Sequence, residues 1–212
     1  MMAILPGHVH FYRRIFEIPG FLAEPMLTLG HQDILGRDLP EDFAYKNLRE
    51  LLAARGVNAL TTIDLYDRRA DLHYDLNLPV PDAEHERYRT VLDIGTLEHL
   101  FDTRQCLENC LRMVKTGGHY LLHTAVRGYS RHGLHTFDPD VMVQALELNA
   151  FDVRFLAYSS NAGEELERPE DAEDVLIWVV GQKAAPMSAF EIPQQGKWER
   201  KWARKGDPPA SS

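Results

Sequence analysis

The amino-acid sequence predicts an α/β fold built on a mainly parallel sheet, and three observations carry the prediction. Thr90 to Gly95 is a short β-branched and aliphatic run that stops at a glycine, the pattern of a buried strand. Asp102 then precedes an amphipathic helix in which Leu107, Cys110, Leu111 and Val114 recur at spacings of three and four, with Lys115 in its last turn and Gly117-Gly118 as its stop. His119 to Thr124 reads as the next strand. A strand, helix and strand in immediate succession form a βαβ unit, which is parallel and right-handed in nearly all known cases.

The remaining elements follow in chain order. Met1 to Phe21 is rich in aromatic residues and histidine and is expected to cover the edge or mouth of the sheet, or to act as a lid. Pro25 to Gly30 is the first strand, followed by the loop Gly30-His31-Gln32-Asp33-Ile34-Leu35-Gly36. Ala44 to Arg55 is a helix with Leu48, Leu51 and Leu52 on one face and Gly56 as its cap. Ala59 to Leu65 is the second strand, with Asp64 near its end and Asp67 just beyond. Ala70 to Asn77 alternates and then meets Pro79 and Pro81, which suggests a short edge strand, although Asp75-Leu76-Asn77 reads equally as a turn cap. After the strand ending at Thr124 comes a loop holding Tyr129, His132 and His135, then a helix over 141–149, a strand over 151–160 and an acidic polar loop over 161–174. Val175 to Gly181 is a continuous apolar last strand. The reading divides the chain into a cap segment 1–24, a main domain 25–183 and a basic tail 184–212, in which Trp198 and Trp202 share a helix face.

Composition narrows the function classes. The 212 residues suit a single α/β domain, and 44% hydrophobic with 26% charged residues excludes disordered and collagen-like classes. The net charge is −9, and because Lys197 to Ser212 holds five basic and two acidic residues, the other 196 residues carry about −12. Such a body lacks the basic footprint of a general nucleic-acid binder, so a small-molecule substrate is expected. No run reaches the length of a membrane span, and no long apolar stretch of a signal peptide precedes Arg13 and Arg14, so a cytoplasmic location is expected. Cys106 and Cys110, four apart on a helix, are expected as reduced thiols. The histidines form neither a helical His-x-x-x-His pair nor a Cys/His cluster, so no metal is expected. A homodimer is left open.

The string Val91-Leu92-Asp93-Ile94-Gly95-Thr96-Leu97-Glu98-His99-Leu100, followed by Leu107 to Val114 and by Lys115-Thr116-Gly117-Gly118, resembles the fourth strand, next helix and fifth strand of class I S-adenosylmethionine-dependent methyltransferases. The resemblance implies a Rossmann-like, doubly wound seven-stranded sheet, mostly parallel, with an antiparallel last strand inserted between the fifth and sixth. It implies S-adenosylmethionine as cofactor, held by Gly30, His31 and Gln32 at the methionine part, by Asp64 at the ribose hydroxyls, by Asp75 and Leu76 at the adenine, and by the turn at Gly95 and Thr96. A carboxylate at the tip of a second strand is suited to both ribose hydroxyls because it can accept two hydrogen bonds.

The implied activity is methyl transfer to an oxygen or nitrogen of a small-molecule acceptor, in small-molecule biosynthesis, with a histidine general base. His99 after the fourth strand, His123 in the fifth and His135 in the following loop are the candidates, with His132 and Tyr129 as loop alternatives. Of the family's Gly-x-Gly-x-Gly loop only Gly30 is present, and Thr116 replaces a proline. That loop motivates an alternative, the same fold repurposed for non-methylating chemistry such as a cyclisation, or a non-catalytic partner subunit. A nicotinamide-dependent oxidoreductase ranks last, because the Gly-x-Gly-x-x-Gly turn is missing.

Overall fold

The computed structural model describes residues 3–194. The Trp198 and Trp202 segment lies outside the described residues. In chain order the elements are α1 (Val9–Phe16), β1 (Met26–Leu29), α2 (Leu48–Ala53), β2 (Leu60–Ile63), β3 (Tyr88–Ile94), α3 (Thr103–Met113), β4 (Val114–Arg127), α4 (Pro139–Leu148), β5 (Phe151–Ser160), β6 (Glu165–Leu166) and β7 (Val175–Lys183). One seven-stranded sheet runs in the order β2-β1-β3-β4-β7-β5-β6. The pairs from β2 to β4 are parallel, and β7 is antiparallel to both β4 and β5. The expected insertion of the last strand is therefore present.

The central strands are covered on both faces, which is why β1 and β7 are buried almost throughout without alternation, whereas β5 alternates. Along β4 and β7, Tyr120, Leu122, Ile177 and Val179 join one core, with Cys110 and Leu111 of α3 and Leu146 of α4. Their neighbours Leu121, Trp178 and Val180 join the other core, with Phe11, Tyr12 and Ile15 of α1 and Leu51 and Leu52 of α2. The N-terminal segment thus packs a helix onto the sheet face. Both cysteines are free and buried.

Several element boundaries differ from the sequence reading, each for a local reason. α3 ends at Met113 and the chain enters β4 directly, so Gly117 and Gly118 lie inside a strand. There the register against β3 shifts between Tyr88 and Thr90, Gly117 adopts φ +80°, and a Cβ on Gly118 would meet the Arg89 carbonyl oxygen at 2.4 Å. The glycines serve a bulge with close backbone approach. α2 is shorter than 44–55 because Asn47 caps it, its side chain accepting from the Glu50 N–H. The expected strand over 70–77 is reduced to a single bridge between Ile63 and Leu72. Asp71 accepts from the Thr62 N–H, and Asp75 accepts from the Asn77 N–H, so side chains take bonds that a ladder would use. The seventh strand is instead the short β6, in the stretch read as a loop.

Candidate functional site

A cavity of about 300 Å³ opens at the carboxyl ends of β1, β2 and β3, where parallel sheets of this class place ligands. Gly30 and Gly95 form its floor. Both adopt positive φ, +75° and +74°, as their strands turn away, and they are bonded back by the Ile63 and His123 carbonyls. A Cβ at Gly30 would stand 3.8 Å from both Asp64 Oδ2 and Thr96 Oγ1, so both polar atoms lie beside this glycine, with the Thr96 hydroxyl donating to the Leu29 carbonyl. Asp64 Oδ1 is already engaged, accepting from the Tyr66 and Asp67 N–H groups at 2.8 and 2.9 Å. That fixes the carboxylate while Oδ2 points toward Gly30.

The far wall carries Asp75 and Leu76, with Asp75 held by the Asn77 N–H and side-chain amide. Tyr66, Tyr74, Leu65 and Leu100 complete the apolar part, and Tyr66 is 87% exposed, a free aromatic face beside Asp64. Sequence reasoning missed these residues. Tyr66 was findable as the first aromatic beyond the tip of β2; the others come from loops whose path the sequence does not specify.

Beneath the cavity, Asp93 is fully buried at the end of β3. Burial, together with the nearby Glu98 carboxylate, pushes its pKa up to about 7, against the opposing hydrogen bonds from the Thr96 and Leu97 N–H groups and the Tyr120 hydroxyl. Its role is to brace the turn that presents Thr96 and His99.

Of the histidines expected to act as base, only His99 lies on the cavity wall. Burial lowers its pKa while Glu98 pulls it upward, and its Nε2 is buried without a hydrogen-bond partner. His123 must be corrected. It is fully buried in the face under α1, stacked on Trp178 at 3.5 Å between ring centroids and 3.4 Å from the Tyr12 hydroxyl, with its pKa held well below the usual range by burial. Its side chain faces away from the cavity because residue alternation along β4 sends it to the α1 side. His135 is also corrected: its Nε2–H donates to the Phe101 carbonyl at 3.2 Å and its ring stacks on Phe137, off the cavity wall. Tyr129 donates to Asn161 rather than toward the site.

The glycine loop differs from expectation as well. Gln32 is buried and folds back, its Nε2 donating to the Leu29 carbonyl, and His31 sits 3.6 Å from Asp33; neither lines the cavity. Gln32 Nε2 lies 3.2 Å from where a Gly30 Cβ would be, so this side chain occupies space that a glycine would leave open. Glu98, His99 and His132 each offer one ligand atom, and the three atoms lie within 4.8 Å of one another.

No family model matches the chain, and no curated protein sequence does. Solved structures do match in fold. An S-adenosylmethionine-dependent methyltransferase from Mesorhizobium loti superposes with a TM-score of 0.54 at 12% identity, covering 83% of this chain and 98% of its own. The N-methyltransferase NodS from Bradyrhizobium japonicum WM9, solved with S-adenosyl-L-homocysteine, superposes with a TM-score of 0.52 at 15% identity, covering 84% and 88%. Among the described residues no helix is long and apolar enough to cross a membrane. With β7 inserted antiparallel between β4 and β5, and with these structural neighbours, the chain has the fold of the class I S-adenosylmethionine-dependent methyltransferases.

Proposed function

We propose that this protein is a cytoplasmic S-adenosylmethionine-dependent methyltransferase that methylates an oxygen or nitrogen of a small-molecule acceptor. The observation that carries the reading is the convergence of Asp64, Asp75, Leu76, Gly95 and Thr96 on one cavity at the carboxyl edge of the sheet. The donor set fits the cofactor. Asp64 presents one oxygen to accept from ribose hydroxyls, Tyr66 and Leu76 offer apolar surface for the adenine, and Asp75 can accept from its amino group. NodS, of the same fold, was solved in complex with S-adenosyl-L-homocysteine.

The cofactor supplies an activated methyl group on a sulfonium. The chain then has to align the acceptor and take its proton. His99 is the candidate for that, since it borders the cavity and burial lowers its pKa, which favours the neutral imidazole a base needs. Titration calorimetry with S-adenosylhomocysteine tests the reading. The intact protein is expected to bind it in the micromolar range, and Asp64→Ala to bind at least about tenfold more weakly, the cost of one or more charge-assisted hydrogen bonds. Absence of binding by the folded intact protein would overturn it. That outcome would favour the second reading, a repurposed fold, which rests on Gln32 filling the loop beside Gly30.

A further inference from the structure

We propose that Glu98, His99 and His132 form a binding site for one divalent first-row transition-metal ion at the wall of the cavity. The three ligand atoms come from two places, the turn Leu97–His99 after β3 and the loop after β4, and lie within 4.8 Å of one another. Around an ion with bonds of about 2.1 Å, tetrahedral ligand atoms stand about 3.4 Å apart, so modest side-chain rotation closes the site. Two imidazoles and one carboxylate suit zinc, cobalt or manganese rather than magnesium or calcium.

Three further observations point to a ligand. Glu98 is fully buried, yet its Oε1 has no hydrogen-bond partner, and His132 Nε2 stands off at 3.9 Å. A buried carboxylate ordinarily has a charge partner or a metal. His99 Nε2 is likewise buried and unpartnered. The arrangement is also built rather than incidental. The Thr124 hydroxyl donates to Glu98 Oε2 at 2.8 Å, orienting the carboxylate as outer-shell groups orient metal ligands. The Leu134 and His135 N–H groups both donate to the Glu98 carbonyl, and a Cβ on Gly133 would meet that carbonyl oxygen at 2.7 Å, so the loop carrying His132 is stitched to the turn carrying Glu98.

Three protein ligands leave coordination positions open, and His99 is the ligand that borders the cavity. An acceptor hydroxyl taking an open position would shed its proton to bulk water through the ion's Lewis acidity. The ion and the proton compete for His99, so the base role belongs to the metal-free protein and the ligand role to the loaded one. This substrate consequence, an oxygen acceptor, rests on the methyltransferase reading; the metal site does not.

The test uses the full-length protein stripped with a chelator, titrated with zinc by calorimetry and with cobalt(II) by visible absorption. One equivalent is expected to bind, with a cobalt spectrum typical of mixed nitrogen and oxygen ligation. Affinity should fall more than about tenfold in His132→Ala, whose exposed position keeps folding safe, and in Glu98→Gln, while His135→Ala binds as the parent does. Absence of binding by the parent, or unchanged binding by His132→Ala, would overturn the proposal. S-adenosylhomocysteine titration of stripped parent and His132→Ala runs in parallel. Because it reads the cofactor site alone, failure there counts against the methyltransferase reading and not against the metal site.

Discussion

Replacing His8 with phenylalanine should remove a defined part of the protein's acid sensitivity. His8 is buried against the stacked pair of His123 and Trp178, 5.3 Å from each ring and edge-on to both, and burial lowers its pKa to about 4 against a smaller upward pull from the Asn161 backbone. The unfolded chain binds the proton at about pH 6.5, so between pH 6.5 and 4 the unfolded state holds more protons than the folded one. Stability contributed by this group is complete above pH 6.5 and falls as the pH drops toward 4. At pH 5 the two values correspond to about 2 kcal/mol, against almost nothing at pH 7.5. Phenylalanine keeps the edge-to-face contacts and cannot be protonated. Urea unfolding by circular dichroism at pH 7.5 and 5.0 reads the effect. The parent should lose about 2 kcal/mol more than His8→Phe on going to pH 5, or roughly 1 M in the difference of midpoints. The difference between the two proteins is the quantity to compare, because Asp93 shifts in the opposite sense and masks the slope of either alone. Parallel loss of stability in parent and variant would refute the reasoning.

Asp93, with its pKa raised from 3.8 to about 7, contributes stability that is complete below the unfolded value and is lost as the pH rises to the folded one, so Asp93→Asn should abolish a decline in stability in the parent between about pH 4 and 7, read from the same unfolding curves. Lys183 is fully buried, ion-paired with Glu86 and bonded to the Leu111 and Val114 carbonyls at 3.1 and 2.8 Å, where α3 turns into β4. Lys183→Ala strips those acceptors of their partner and should cost about 3–5 kcal/mol in chemical denaturation, and a loss below about 1 kcal/mol would show that water replaces the amine.

The sequence by itself determined six of the seven strands, all but the short β6. Apolar runs such as 90–95 and 175–181 can be buried only between two covered faces, and the short connection from β3 through α3 to β4 forces a parallel crossover. It also placed Gly30, Asp64 and Gly95 just beyond strands, although the strand expected to end near Asp75 does not form. What it did not determine is the direction of side chains that depend on register. His123 and His99 looked equivalent as residues at strand ends, yet alternation along β4 turns His123 into the core under α1, while the turn after β3 leaves His99 on the cavity wall. Gln32 looked free to grip a ligand and instead bonds its own strand end. The approach of His132 to Glu98 and His99 was invisible in the spacing, because a loop separated from them by a helix and a long strand returns through backbone bonds to Glu98. Local pattern fixes which elements form, but only packing in three dimensions decides which polar groups meet, since contacts between distant segments depend on the path of loops that carry no periodic signal.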